Sequence, residues 1–360
     1  MAEPNPEPGP RLTRLQALQW LDRRSNFERG PAGTQPGGGF TLTRMRSLLR
    51  AIGNPQQQFS AAHLAGTKGK GSTAAMLAAI VRAGGYRVGC YLSPHVDRLE
   101  ERIMISGRPI STRDLVAAFR MVMPAVERLD RVAAQRGQPA ATWFEVLTAV
   151  AFTHFAQREV DLAVIETGPG GRLDATNLCQ PVVTLITCIS LDHMDVLGGT
   201  IEEIASEKAG IIKRGCPVVS VAADPAAAAV IARRASRQAA PLVLLDRDFQ
   251  VAALPARGRS PATSFSLESP LGTSLGDFTT AMSGRHQAIN AAAAIMAVRS
   301  LPPHDFQIPE AAIRRGLRQA TLPARIEWLS ERPPVVLDAA HNPASMAALV
   351  ETLGAAERLP

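Results

Sequence analysis

The chain has 360 residues, 46% hydrophobic and 20% charged, with a formal charge of +7. That balance describes a globular protein of about two domains with a sizeable core, and it excludes general disorder. No stretch approaches the ~18 consecutive apolar residues of a membrane span, and the N-terminal MAEPNPEPGPR lacks the apolar region of a secretory signal. No membrane association is therefore expected, and the expected location is the cytoplasm. Aromatic residues make up only 4% and the arginines are dispersed, so nucleic acid is not an expected partner; a small anionic ligand suits the basic balance equally well. Cys90, Cys179, Cys188 and Cys216 have no CxxC spacing, and three lie in or beside apolar runs, as buried thiols of a reducing compartment do. Of the 39 Lys and Arg residues only Lys68, Lys70, Lys208 and Lys213 are lysines. A chain that uses Arg for generic surface charge keeps Lys where an ammonium or a neutral amine is needed.

Pro/Gly-rich stretches at 1–10 and 31–39 read as loose segments around a short helix, Leu12–Phe27. From Phe59 strands and helices alternate. The pattern predicts strands at Phe59–Ala65, Arg87–Leu92, Val160–Glu166, Val182–Ile189, Pro217–Ala222 and Leu242–Leu245. It predicts helices at Lys70–Ala83, Arg113–Gln135, Trp143–Gln157, Ile201–Ile212 and Ala226–Arg237. The nearly all-apolar strands belong to a parallel sheet covered on both faces, a doubly wound α/β domain. Residues 249–283 turn Ser-, Thr- and Gly-rich and alternate like antiparallel strands. Helices near His286–Arg299 and Glu310–Gln319 follow, then a strand Pro334–Asp338 and a helix Ala344–Leu353 that open a new βα alternation.

Five motifs carry chemistry. Gly66-Thr67-Lys68-Gly69-Lys70-Gly71-Ser72-Thr73 lies between a predicted strand and helix. Glycines there let backbone N–H groups face a phosphate, the helix N-terminus adds positive charge, and Lys70 can reach the β/γ-phosphates. Ser72 or Thr73 can offer a hydroxyl to phosphate or Mg²⁺. Glu166 ends an apolar strand before the glycine-rich GPGGRLDATN, where ligands bind in such sheets, and it suits Mg²⁺. Asp192, His193 and Asp195 converge after the next strand, suited to metal or phosphate. Lys208 follows Glu202, Glu203 and Glu207, so it reads either as a solvated ion-paired helix face or as a functional lysine. Asp338 and His341 sit in LDAAHNP, facing a ligand or forming a helix-starting turn.

In this order the five segments resemble the Mur ligase superfamily, and specifically the folylpolyglutamate synthase and bifunctional dihydrofolate synthase family. Ser93-Pro94-His95 with Glu101-Arg102-Ile103, the TWFE at Thr142–Glu145, GRHQAIN ending at Asn290, and LPAR ending at Arg325 support that branch. The resemblance implies a P-loop doubly wound domain at 1–303 with an N-terminal helix. It also implies an incomplete Rossmann-like C-terminal domain at 304–360, because members continue well beyond Asp338 and this sequence ends 22 residues after it. A shortened, incomplete or inactive chain is one expectation from that ending. The implied reaction is ATP-dependent: a folate or dihydropteroate carboxylate becomes an acyl phosphate, and the amine of L-glutamate displaces phosphate. Cofactors would be ATP and Mg²⁺ at two sites, and a monomer is expected.

By the same resemblance Thr67, Lys68, Gly69, Lys70, Gly71 and Ser72 hold ATP phosphates, and Asn290, Arg325 and Asp338 contact the nucleotide. Ser93, Glu166, His193 and a carbamylated Lys208 bind metal; carbamylation needs a neutral amine. Thr142, Trp143, Phe144, Glu145, Leu173, Asp174 and Ala175 face the pterin, and His341 lies near the glutamate end. Lys70, Glu166, His193, Lys208 and His341 are the expected catalytic set. Pro169, Ala324 and Ala339 depart from the usual aliphatic residue, Gly and Gly. Alternatives are another Mur-type amino-acid ligase and a non-catalytic ATP-binding homologue.

Overall fold

The apolar runs that alternate with helices become one large sheet. The computed structural model describes residues 12–28, 41–192, 197–254, 262–331, 333–341 and 343–354. In chain order the elements are α1 (Arg14–Asp22), α2 (Leu42–Ala51), β1 (Ser60–Ala65), α3 (Lys70–Ala83), β2 (Val88–Tyr91), β3 (Ile103–Ile105), β4 (Arg108–Pro109), α4 (Thr112–Gln135), α5 (Trp143–Gln157), β5 (Leu162–Glu166), β6 (Pro181–Ile186), α6 (Ile201–Ala209), β7 (Val218–Ser220), α7 (Pro225–Arg237), β8 (Leu242–Leu244), β9 (Gln250–Ala253), β10 (Thr263–Glu268), β11 (Ser274–Thr280), α8 (Arg285–Arg299), α9 (Glu310–Gln319), β12 (Glu327–Glu331), β13 (Pro334–Leu337) and α10 (Pro343–Gly354). Loops and short 3₁₀ turns join them.

Eight strands pair in the order β4-β3-β2-β5-β1-β6-β7-β8. The run from β2 to β8 is parallel, and β3 adds antiparallel to β2. Side chains alternate across the sheet, as the two-residue strand period requires. Ala62, Leu64, Leu162 and Val164 meet α3, α8, α9 and the β9–β11 sheet on one face. Ala61, Ala163 and Ile165 meet α4 and α5 on the other. A third cluster packs α6 and α7 against the β6–β7 side. Strand β1 lies between β5 and β6, so the loops after these three strands share one edge. That is where an open α/β sheet binds ligands.

The element boundaries mostly match the sequence pattern, with four instructive differences. The strand expected to run to Ile189 ends at Ile186, where Thr187 turns its hydroxyl onto the Lys68 carbonyl at 2.7 Å. The helix expected to reach Ile212 ends at Ala209, capped by Gly210. Helix α2 was not anticipated, although Thr41 caps it and Met45, Leu48 and Leu49 bury one face. At the C-terminus β13 pairs antiparallel with β12 instead of opening a parallel unit. Beyond residue 303, where a domain division is expected, Phe306, Ile313, Leu317 and Ala320 share a hydrophobic cluster with α3 and α8.

Candidate active site

The phosphate loop follows β1. Gly69 caps α3 at φ +83°, and no side chain caps the helix. Its first N–H groups are therefore available to an anion. A Cβ at Gly69 would fall on the Asn290 amide, and the positive φ is one that L side chains rarely adopt, so the position favours glycine. The loop is pinned to the segment that follows β6: the Thr67 N–H donates to the Cys188 carbonyl at 2.7 Å and its hydroxyl to the Ser190 carbonyl at 3.1 Å. Lys70 Nζ donates to the Gly66 carbonyl at 3.0 Å and stands 3.9 Å from Glu166 Oε1. Ser72 accepts from Gln287 Nε2 at 3.3 Å, and Gln287 in turn accepts from Asn290 at 3.0 Å. The GRHQAIN segment thus backs the phosphate loop.

Glu166, at the end of β5, is 3% exposed, and its Oε2 accepts the Ser93 N–H at 3.0 Å. Burial raises its pKa, and the nearby Lys70 ammonium opposes that shift. Lys208 on α6 is 2% exposed, and its Nζ donates to the Pro169 carbonyl at 3.1 Å. The reading of Lys208 as a solvated, ion-paired lysine is corrected here: Glu207 pairs with Arg172 at 2.7 Å instead. Burial, then the charge of Lys70, push the Lys208 pKa down to about 7, against the pull of Asp192, Asp174 and Glu166. The approach of the glycine-rich loop to α6 needs Gly171, since a Cβ there would lie 2.8 Å from Lys208 Cα.

On the other side of that loop is a cavity of about 300 Å³. Of the residues expected at the pterin, Thr142, Phe144, Glu145, Leu173, Asp174 and Ala175 line this cavity, and Trp143 does not. Trp143 is buried; its Nε1 donates to Asp22 at 3.1 Å, and the Arg102 guanidinium covers its ring at 4.8 Å. Thr142 and Glu145 form a capping box for α5, with Glu145 accepting the Thr142 N–H at 2.8 Å and Arg44 Nε at 3.2 Å. Glu28, Thr41 and Arg44 also line the cavity, and sequence reasoning missed all three. The Thr41 cap before an amphipathic repeat was the available signal for α2 and hence for Arg44.

Asp338 accepts N–H groups from Ile326 at 2.8 Å and Ala340 at 2.7 Å, tying the LPAR loop to the end of β13. Arg325 Nη1 donates to the Ala324 carbonyl at 2.9 Å, and its charge offsets part of the rise that burial imposes on the Glu166 pKa. His341 is exposed and turned onto its own backbone, with Nδ1 2.8 Å from the Ala339 carbonyl. Its bonds reach neither the phosphate loop nor Glu166. His193 lies outside the described residues. Among the described residues no group of three or more His, Cys, Asp or Glu is arranged to hold a metal. No helix among them is long and apolar enough to cross a membrane.

A phosphate loop at the middle of a doubly wound sheet, with a buried carboxylate and lysine beside it, defines a nucleotide-dependent enzyme fold. Residues 118–298 match the Mur ligase middle domain family. The chain is 42% identical over 342 residues to the dihydrofolate synthase/folylpolyglutamate synthase of Bacillus subtilis, covering 94% of this chain and 75% of that one. It superposes on a solved FPGS–AMPPCP–folate complex with a TM-score of 0.85 at 37% identity, covering 95% of this chain and 80% of that one. For Mycobacterium tuberculosis folylpolyglutamate synthase, solved with ADP and AMPPCP, the TM-score is 0.83 at 37% identity, covering 94% of this chain and 73% of that one. The chain belongs to the folylpolyglutamate synthase/dihydrofolate synthase family.

Proposed function

We propose that the chain is an ATP-dependent ligase that adds L-glutamate to tetrahydrofolate and to dihydropteroate through an acyl phosphate. The observation that carries this reading is the convergence of two buried groups, Glu166 and Lys208, between the phosphate loop and the cavity. The amides opening α3 and Lys70 hold the β- and γ-phosphates, while Asn290, Arg325 and Asp338 hold the rest of the nucleotide. The cavity takes the pterin, with Asp174 as its polar wall. A substrate carboxylate oxygen attacks the γ-phosphorus and the β–γ bridging P–O bond breaks, releasing ADP. The glutamate amine then attacks the acyl carbon, the acyl C–O bond breaks, and phosphate leaves as the amine gives up its proton. Two anions must meet in this sequence, so fixed positive charge at the phosphates dominates the catalysis.

The residues fit Mg²⁺. Glu166 is a buried carboxylate whose described partners are one N–H and a lysine 3.9 Å away, short of what a buried anion needs. Ser93, Glu166 and His193 would hold one ion. Lys208, held near neutrality, would supply a carboxylate for a second once carbamylated. Bound there, Mg²⁺ would neutralise charge on the transferred phosphoryl group. His341 is assigned to the glutamate side by resemblance. The domains divide after α9, near residue 320, and the protein acts as a cytoplasmic monomer.

The test is ligation of labelled L-glutamate with Mg-ATP, using dihydropteroate in one reaction and tetrahydrofolate in another. Product in both is expected. Product with tetrahydrofolate alone would make the chain an extender only. ATP binding without product in either would overturn the ligase reading.

A further inference from the structure

Two fully buried residues outside the proposed machinery are linked to the cavity through Asp174. His63 is in β1, three residues before the phosphate loop, and its Nε2 is 2.9 Å from Thr176 Oγ1. The Thr176 hydroxyl donates in turn to Asp174 Oδ1, which also accepts the Thr176 N–H at 2.9 Å. Asp174 Oδ2 accepts the Gly168 N–H at 2.9 Å. Asp174 is the member of this chain that reaches the cavity.

The donors and acceptors allow only one economical direction. Two backbone N–H groups point at Asp174, so its oxygens must accept. The Thr176 hydroxyl proton is spent on Oδ1, which leaves only lone pairs toward His63. His63 must therefore donate from Nε2 and leave Nδ1 bare. Nδ1 is buried without a hydrogen-bond partner. Reversing the chain would place a proton on Nδ1 and strand a buried N–H donor, which costs more than a bare acceptor. The imidazole is suited to this state: burial, helped by the charge of Lys213, pushes its pKa down to about 3. Lys213 is itself fixed behind the loop, with Nζ 2.9 Å from the Asn177 carbonyl and 2.6 Å from its side-chain oxygen.

We propose that His63 and Thr176 are positioning residues that hold the Asp174 oxygens as hydrogen-bond acceptors in the cavity wall, so that the cavity selects a heterocycle presenting N–H donors along one edge. The inference rests on the reading of the cavity as the pterin site. The amide N–H and exocyclic amine of a pterin supply such donors, and Asp174 has lone pairs left over from its three protein bonds. A ligand without those donors would leave the carboxylate buried and under-partnered, and discrimination of that kind is strong.

The test uses the full chain and reads binding apart from chemistry. Dihydropteroate is titrated against a 2-desamino-2-methyl analogue, with ATP affinity and melting temperature measured in parallel. The wild type should prefer the pterin by about 100-fold or more. Thr176→Val should weaken pterin binding about tenfold and reduce the preference, with ATP affinity unchanged. Thr176→Ser should restore both, because it keeps the hydroxyl. His63→Gln keeps an N–H donor and should stay near wild type, whereas His63→Leu should behave like Thr176→Val. Should Val or Leu prevent folding, wild-type discrimination retained in Thr176→Ser and His63→Gln, and lost in Asp174→Asn, still supports the relay. Equal preference in folded wild type and Thr176→Val would overturn it. A wild type that binds neither ligand would instead sink the pterin-site reading on which it stands.

Discussion

The phosphate loop and the cavity beside it open on the same sheet edge, yet they are built in opposite ways. The phosphate loop is made of consecutive residues, and its recognition groups are backbone N–H groups freed by glycine. The cavity is assembled from segments far apart in sequence: Glu28, Arg44, the start of α5 and the loop after β5. Its polar groups are mostly held by one another, as in the Thr142–Glu145 box and the Asp174–Thr176 chain. Backbone sites tolerate side-chain change and resist any Cβ, whereas side-chain sites do the reverse. Lys208 joins the two, anchored to the loop that walls the cavity while its charge is coupled to Lys70.

The sharpest break of this comparison is at Lys208. Lys208→Arg keeps a cation but cannot become neutral, so kcat should fall about 10²–10³-fold in the steady-state ligation assay. Added bicarbonate should raise wild-type activity more at pH 8 than at pH 6, because the amine is neutral above about 7, and should leave the Arg variant unchanged. The linkage sign also follows. Unfolded Lys208 titrates near 10.5 and folded Lys208 near 7, so the unfolded chain holds more protons between those values. This residue's contribution to stability rises with pH across that window. Denaturant melts of Lys208→Met should lose that slope. Next in size is Gly171→Ala, whose Cβ would collide with the backbone of α6. Overpacking of this kind costs ~1–3 kcal/mol, and the displaced Lys208 should lower kcat about tenfold or more. A melt and a kcat measurement on the same preparation check both.

How much was legible follows the same division. The glycine spacing, the strand before it and the helix after it are local, so the phosphate loop and α3 could be read from the chain. Lys208 was visible through the scarcity of lysine. The cavity was less legible because a short motif does not say which of its atoms face inward. Thr142–Glu145 has the spacing of a capping box and is one, while Trp143, expected at the ligand, is spent on Asp22 and Arg102. His63 looked like any residue of a buried strand, since its partner Thr176 lies 113 positions away. The antiparallel β12–β13 pair escaped because five residues beginning and ending in Glu give little apolar alternation. Glu145 can separate cap from cavity. Glu145→Ala should cost ~1 kcal/mol in a denaturant melt and raise KM for the pterin substrate several-fold, with KM for ATP unchanged. Glu145→Gln preserves the capping box and should recover the stability, while the lost charge toward Arg44 keeps the KM effect.

The smallest expected effect tests whether the LPAR loop, proposed to meet the nucleotide, is governed by backbone. Ala324 sits at φ +53°, in the left-handed region, within the LPAR loop that Asp338 ties down. An L-residue with a Cβ pays ~1–2 kcal/mol there, which is why glycine suits the position. Ala324→Gly removes that strain, but the freer unfolded chain takes back ~0.5–1 kcal/mol. The net should be a gain of roughly 0.5 kcal/mol, about 1 °C in Tm for a chain of this size. Ala324 is buried with its carbonyl accepting from Arg325 and from the Ala339 N–H, and both bonds are independent of the methyl group. KM for ATP should therefore stay at the wild-type value. A fall in Tm would mean that the Ala324 methyl contributes more by packing than the left-handed backbone costs, and the loop would then belong with the side-chain-built half of the site.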